Sequence, residues 1–552
     1  MTVLLRRSGD LPAADAYSAW FVAASPLGRR ADVVALPAAR KLAGLGARLE
    51  AAFDVVCPAW WRLAKSLADS PGAELAYATT CAGYGSDFGL MLAWAHLAEE
   101  MAAAEERCLI VCDDPWLFRH LAAIAGVDAG RPPPITPVAI SLWARGHAAR
   151  LALVVRLAWS ALATRRQRVH FVPGDAAILA YGHPLSSARG DDAYFGAMLT
   201  VIPALKRVLH TDCGTAQARA LAGDGRTAAL HAWGRVDWTP GLMFVRWRPG
   251  RAQREGRFGW LVRRAMALES SGAAHAINAW QRLCQEAWLV EMRPRVVAWP
   301  WENHGWERAL CRAARRLGVQ TVGYQHTVIG PHQLNYSPAT NKDGEASLPD
   351  LIVCDGPAYR DQLAAWGVPT ARLVIGGSLR IARADGDRYD PEGPVFVALS
   401  ARRSIARQQM QAVVAAAAEG FAFLVKEHPM YPMAIVETDK LRRARGGLAA
   451  QSRLSAVFYA TGTSGLEALL AGLPTFRLLP ENEIAVDVLP PFAAAEAVAV
   501  DGLAAALRRA RKPEPLPWER VLAEVDWALW RRLFAGGEVR PVDAPRQQEK
   551  IA

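Results

Sequence analysis

Several features that would place a chain quickly are missing from these 552 residues. There is no run of about 18 uncharged apolar residues, so no ordinary transmembrane helix is predicted. The opening MTVLLRRSGDLPAAD carries its arginines after a short apolar run and has no apolar core of about 7–15 residues, so it does not read as a signal peptide. The eight cysteines form no CxxC pair, and no His/Cys cluster has the spacing of a zinc site. Several sit in apolar runs (VVCPAWW, LIVCDD, LIVCD), where cysteine acts as a small core residue, and a reduced, cytoplasmic setting is expected. The loop TGTSG (461–465) is neither GxGxxG nor followed by GK[ST], so it is neither of the two commonest phosphate cradles. No acid occurs from Arg131 to Pro173, a stretch that holds Arg131, Arg145, Arg150, Arg156, Arg165, Arg166 and Arg168.

What is present describes a large folded protein. Hydrophobic residues make up 52%, enough for sizeable cores, and the length suggests about three domains. The net charge of +11 favours anionic partners such as nucleic acid, anionic lipid or phosphorylated substrates. No recognised nucleic-acid module or aromatic-basic strand pattern is found, so nucleic acid is not expected.

The second half alternates strands and helices. RVVAWP, VQTVGYQH, LIVCD, ARLVIGG, VFVALS, FAFLVKEHP, SAVFYA and PTFRLL read as strands with helical patterns interspersed among them. That alternation implies βαβ units and parallel sheets, an α/β fold. In the first half, EERCLIVCDDPWLFRHLAAIAG reads as strand then helix, and RPPPITP as a break. RVHFVP (168–173) is taken as the restart of the α/β pattern. The expected blocks are an N-terminal α/β region (1–130), a basic amphipathic helical connector (131–167), two α/β domains (168–343 and 344–535) and a tail (536–552). Within the connector, Leu151, Val154, Val155, Ala158 and Leu162 share one helical face. Such a helix either lies in a membrane interface, here through residues 145–168, or packs on a domain with its arginines in water.

Two stretches invite anion chemistry. TGTSG (461–465) stands between a strand and a short helix, with hydroxyls on Thr461, Thr463 and Ser464, and with two glycines, Gly462 and Gly465, expected to let the backbone approach a ligand closely. An ordinary Ser/Thr helix cap is the alternative. KEHP ends the preceding strand, so Lys426, His428 and Pro429 are expected at the same sheet edge as Thr463 and Ser464. Ligands in open α/β sheets bind beyond that edge. On the other half of the chain, Glu302 follows the RVVAWP strand and is the first candidate for a general base. Glu307, Asp192 and His326 stand behind it, and a helix cap is the alternative for Glu302. Gln325, Arg402 and Arg403 are further cleft candidates. Asp191–Asp192 and Asp113–Asp114 read better as caps than as metal ligands, and no metal is expected.

KEHP followed about 35 residues later by GTSGLEALLAGLP resembles the HP and paired Ser/Thr motifs of bacterial GT-B glycosyltransferases, nearest in pattern to sialyltransferases and capsular Kdo transferases. WENHGWERALCRAARRLGVQTVGYQHTVIGPHQLNYSP (301–338) resembles a block found in glycosyltransferases of bacterial surface-carbohydrate synthesis. Together they cover about a third of the chain, roughly residues 296–480. The resemblance implies two Rossmann-type domains facing a cleft. It also implies a metal-independent enzyme using a nucleotide sugar, expected to be CMP-linked and otherwise UDP- or GDP-linked, with no further cofactor. By the same resemblance His428, Pro429, Gly462, Thr463 and Ser464 would meet the nucleotide, with Lys426 assisting and Glu467 at the ribose. The acceptor would be a surface glycan or a lipid-linked glycan, at the cytoplasmic face of a membrane. The alternatives are a CDP-glycerol-type polymer phosphotransferase, a nucleotide-sugar epimerase, or a catalytically silent scaffold.

Overall fold

The computed structural model describes residues 3–27, 36–83, 85–383, 386–429 and 431–537. Of the expected tail, 538–552 lie outside the described residues. Three sheets organise the chain, and every strand pairing within them is parallel. The first has the order β2-β3-β1-β4, from β1 (Val3–Arg6), β2 (Ala19–Val22), β3 (Cys108–Val111) and β4 (Val127–Ala129).

The second sheet has seven strands, β5 (Ala177–Ala180), β6 (Lys206–Leu209), β7 (Thr227–Ala229), β8 (Val296–Pro300), β9 (Gln320–Gln325), β10 (Leu351–Cys354) and β11 (Leu373–Ile375). Its order is β11-β10-β9-β8-β5-β6-β7. The third has six, β12 (Val395–Ala398), β13 (Phe423–Lys426), β14 (Leu441–Arg443), β15 (Ala456–Tyr459), β16 (Thr475–Leu478) and β17 (Glu496–Val498), ordered β14-β13-β12-β15-β16-β17. Strands such as CLIV, AILA and VVAWP are buried along their whole length. Parallel sheets covered by helices on both faces require this, and it explains why these strands read as unbroken apolar runs.

Three expectations change. β10 and β11 pair into the sheet that begins at β5, so the division expected at 343/344 falls instead between β11 and β12. RVHFVP is a 3-10 turn and loop, and the first strand of the second sheet is Ala177–Ala180. The C-terminal segment does not stay with the third sheet. Ala523 N donates to Asp355 O (2.9 Å), and Trp530 packs on Tyr324 with ring centroids 5.5 Å apart, returning the chain to the second sheet.

The connector forms as a helix, Ile135–Thr164. Leu142, Gly146, Leu153, Leu157 and Ala161 face the protein. A Cβ on Gly146 would come 2.0 Å from Ser270 O, and Arg150 Nη1 donates to the same carbonyl at 3.1 Å. The Leu151–Val155–Leu162 face points outward.

The N-terminal domain touches both other sheets. His332 Nε2 meets Asp54 at 2.7 Å while its Nδ1 accepts from Asp487 N at 3.0 Å, Arg477 pairs with Glu50, and Lys41 with Glu481 at 2.6 Å. Toward the second sheet, Glu74 takes Arg282 (2.8 Å) and Arg312 (2.5 Å). A Cβ on Gly305 would fall 1.9 Å from Glu74 O, so the two domains meet backbone to backbone.

Candidate active site

The strand orders locate two crevices. In the third sheet, β12 is followed by β13 and β14 on one side, and the chain then crosses to place β15 on the other. In the second sheet, β5 is followed by β6 and β7 on one side and by β8 on the other. Such switch points leave a gap beyond the carboxyl ends of the two strands, where ligands of open α/β sheets sit.

At the β12/β15 gap, Ser400 Oγ and Thr461 Oγ1 stand 3.3 Å apart. Gly462 follows with φ 115°, a conformation suited to glycine, and a Cβ there would meet nothing within 4 Å. The approach to the loop is therefore open. The second glycine of TGTSG has another purpose. A Cβ on Gly465 would be 2.4 Å from the Tyr459 ring, so Gly465 serves helix–strand packing rather than a ligand. Thr463 occupies the N-cap position of Ser464–Leu470, and its side chain makes no capping hydrogen bond. The hydroxyl is not consumed by the role that offered the plainer explanation for it. Glu467 is half-buried in the first turn of that helix.

KEHP ends β13 and TGTSG follows β15, the two parallel neighbours of β12, so both motifs lie at one sheet edge with β12 between them. His428 is half-buried and bridges to Tyr431, whose N–H donates to His428 O at 3.1 Å. Exposed Pro429 lies in this tight turn. Burial, then the charges of His183 and Lys426, lower the His428 pKa. His183 follows β5 of the second sheet. Lys426 is directed differently: its Nζ lies 3.2 Å from where a Gly447 Cβ would stand, on the β14 side. Glu427 secures the turn by pairing with Arg443 (2.7 Å) and accepting from Met433 N (3.0 Å). Arg402 is half-buried, and its N–H donates to Ser400 Oγ at 3.2 Å. Burial disfavours the Asp87 carboxylate, but Arg264 and then Arg402 outweigh it and hold its pKa low. Arg403 is exposed and lines a small hollow with Arg407 and Pro432.

Across the cleft, at the β5/β8 gap, Glu302 Oε2 meets His304 Nε2 at 2.7 Å, and Oε1 lies 3.6 Å from His326 Nε2. Burial opposes the carboxylate, but His304, followed by His326 and Arg380, outweighs it and holds Glu302 at about 2. His304 is held well above its ordinary pKa: burial works against the imidazolium, and Cys81 and Glu302 on its two nitrogens outweigh burial. The Glu302 side chain is 24% exposed and that of His304 8%, so the carboxylate fronts the cleft and the imidazole stands behind it. Behind His304 comes Cys81 Sγ, 3.6 Å from Nδ1, supplied by the N-terminal domain. Burial pushes His326 down to about 4 despite Glu302. Its ring packs on Tyr194 (5.1 Å), and the Arg380 guanidinium covers the Tyr194 ring at 5.2 Å. Tyr181, at the end of β5, completes an aromatic floor with Tyr194 (5.3 Å) and His210 (4.8 Å).

The loop that aims Glu302 is tightly determined. Asn303 has φ 58°, a left-handed conformation that a non-glycine residue holds only when its surroundings impose it. Its Nδ2 donates to Asn335 O (2.9 Å), Ser337 O (3.2 Å) and Asn341 Oδ1 (3.1 Å), and its carbonyl accepts from Arg308 Nε (2.9 Å). Glu307 is part of this support and not a base. Fully buried, it accepts at 3.0 Å each from Trp299 Nε1, Glu302 N and Asn303 N, while burial raises its pKa to about 7.

Asp192 is likewise not a base but takes the capping role that its sequence also suggested. It caps Tyr194 N (2.9 Å) and Phe195 N (3.1 Å) and lies 3.6 Å from buried Arg207. Both carboxylate oxygens are spent on structure. Gln325 is also structural: it accepts from Asp355 N at 2.9 Å and donates to Thr327 O. Asp114 caps Trp116 and Leu117 as expected, both at 3.0 Å. Sequence reading missed Cys81, Tyr181, His183, Tyr194, Arg380 and Ser400 and passed over His304, although the WENHG spacing already put a histidine two residues beyond the acid.

No family model matches the chain, and no curated protein matches it by sequence. Among solved structures it is similar to the glycotransferase of kitacinnamycin (14% identity, TM-score 0.38, covering 66% of this chain and 96% of that one). It is also similar to the UDP-GlcNAc 2-epimerase of Methanocaldococcus jannaschii (9%, 0.39, 66% and 100%) and to the glycosyltransferase SnogD of Streptomyces nogalater (14%, 0.33, 66% and 95%). The site itself carries the reading that follows.

Proposed function

We propose that the chain is a GT-B-type glycosyltransferase that moves a sugar from a nucleotide donor to a glycan hydroxyl. One observation carries this: one switch-point crevice is lined by the Ser400 and Thr461 hydroxyls with KEHP ending the neighbouring strand, and a second switch point holds the Glu302 carboxylate 2.7 Å from His304. The donor phosphate sits at Ser400, Thr461, Thr463 and Ser464 with His428 beside it, and the sugar lies over Tyr181 and Tyr194. The bond from the anomeric carbon to the phosphate oxygen breaks, and its electrons leave with the phosphate toward those donors. The acceptor oxygen bonds to the carbon, and its proton passes to Glu302. A carboxylate held at about 2 is a weak base, so it orients the hydroxyl first and takes the proton as the new C–O bond makes that proton acidic. The KEHP and GTSG resemblance favours a CMP-linked donor and a surface-polysaccharide or lipid-linked acceptor.

The test is calorimetric titration of CMP, CDP and UDP into wild type and His428→Ala. Binding of one nucleotide, weakened about tenfold or more in the variant, is expected. If none binds, or the variant binds equally well, the donor site is wrong. Conversion of a nucleotide sugar with no acceptor present would mark an epimerase instead.

A further inference from the structure

We infer that the outward face of the connector helix is a docking surface for an anionic lipid bilayer, with the helix lying in the plane of the interface. Of the seventeen large hydrophobic side chains exposed among the described residues, eight lie between Ile140 and Val172. Ile140, Trp143, Leu151, Val155, Trp159 and Leu162 recur at helical spacing on one side, each 59–65% exposed. Trp143 and Trp159 are the exposed tryptophans among the described residues, in a chain with 20. From Ile140 to Leu162 the stripe runs about 33 Å at ~1.5 Å per residue. A soluble surface that hides every other described tryptophan wholly or in part has no reason to align two along one helix. Tryptophan does favour the boundary between headgroups and acyl chains. Segment Val236–Phe244 packs along this helix and exposes Val236 and Phe244, the latter at 71%.

Charge selects the occupant. Arg156, Arg165 and Arg166 are exposed on the helix and its continuation, Arg145 is exposed while donating to Ser271, and no acid occurs from 131 to 173. A cationic margin around an apolar band fits acyl chains beneath anionic headgroups, whereas a second copy would bring like charge against like. The helix, continued to His170, is long and apolar enough to cross a membrane. Its other face is fixed to the protein: Gly146 abuts Ser270 and Arg150 bonds to the same residue, so the helix cannot leave to span. This surface does not depend on the sugar-transfer reading.

The experiment sediments the full chain with phosphatidylglycerol–phosphatidylcholine vesicles and with phosphatidylcholine vesicles, beside the Trp143→Ser/Trp159→Ser double variant and Val155→Asp. Wild type should pellet with the anionic vesicles, less so in high salt. Both variants should lose at least about tenfold in partitioning while keeping the wild-type melting transition. Acyl chains carrying bromine should quench part of the wild-type tryptophan emission and none of the double variant's. Wild type remaining in the supernatant, variants that pellet equally, or equal binding to neutral vesicles would each overturn the inference. So would light scattering that shows a wild-type dimer dissociated by the variants.

Discussion

Replacing His304 with alanine isolates the feature on which the proposed chemistry rests. Glu302 lies at about 2 against an ordinary 4.5. At ~1.36 kcal/mol per unit, that displacement is about 3 kcal/mol of preference for the charged form in the folded protein. His304 contributes the largest favourable share, with His326 and Arg380 supplying the remainder, so His304→Ala should cost about 2–3 kcal/mol near neutral pH. A depressed carboxylate stabilises the fold above its unfolded pKa and loses that contribution as pH falls through about 2. A raised histidine stabilises it below 6.5 and loses the contribution as pH rises through its folded value. Cys81 also raises His304, but the part that Glu302 and His304 share is one ion pair, counted once, and its full effect falls between about pH 4.5 and 6.5. Urea unfolding of wild type and variant across pH 2–8 should therefore show a gap that is widest in that window and closes toward pH 2. Transfer activity of the variant should fall in acid where the wild type's does not, because Glu302 loses its main favourable partner and its pKa rises. A gap below about 0.5 kcal/mol at pH 6, or one that does not vary with pH, would refute the assignment of Glu302 and His304 as an ion pair.

Two other substitutions bear on placements made above. Asp192→Asn should destabilise by about 1–3 kcal/mol, because Arg207 loses a charge partner, while leaving nucleotide titrations unchanged; weakened nucleotide binding would restore Asp192 to the cleft. Gly305→Ala forces a methyl against Glu74 O and should cost about 1–3 kcal/mol in urea unfolding, since the obstacle is backbone and cannot rotate away; an unchanged transition would mean the N-terminal domain is not docked there.

The sequence was readable wherever one strand carried its own signal. VVAWP, VFVALS and SAVFYA are short apolar runs between helices, and KEHP and TGTSG declared themselves as strand ends. What stayed hidden depended on partners far along the chain. SPATNKDGEASLPD looked like a linker because it is polar, yet Asn303, Arg308 and Arg312 satisfy Ser337, Thr340, Asn341 and Asp343 inside the second domain. Polarity there marks a bonded interior and not a boundary. Asp192 was legible as a cap, but its second partner, Arg207, lies on β6 and left no mark nearby. Cys81 gave no sign of its position behind His304, 223 residues later. β5 was overlooked because AILA holds a single β-branched residue, whereas RVHFVP nearby alternates like a strand.

The contacts of the N-terminal domain also set a timetable for biosynthesis. Glu50 leaves the ribosome 427 residues before its partner Arg477. At roughly 5–20 residues per second, the helix bearing Glu50 and Asp54 waits about 20–90 s for the surface it will bind. Through that interval the domain made first remains a half-finished interface, and the molecule closes only when the sheet made last arrives.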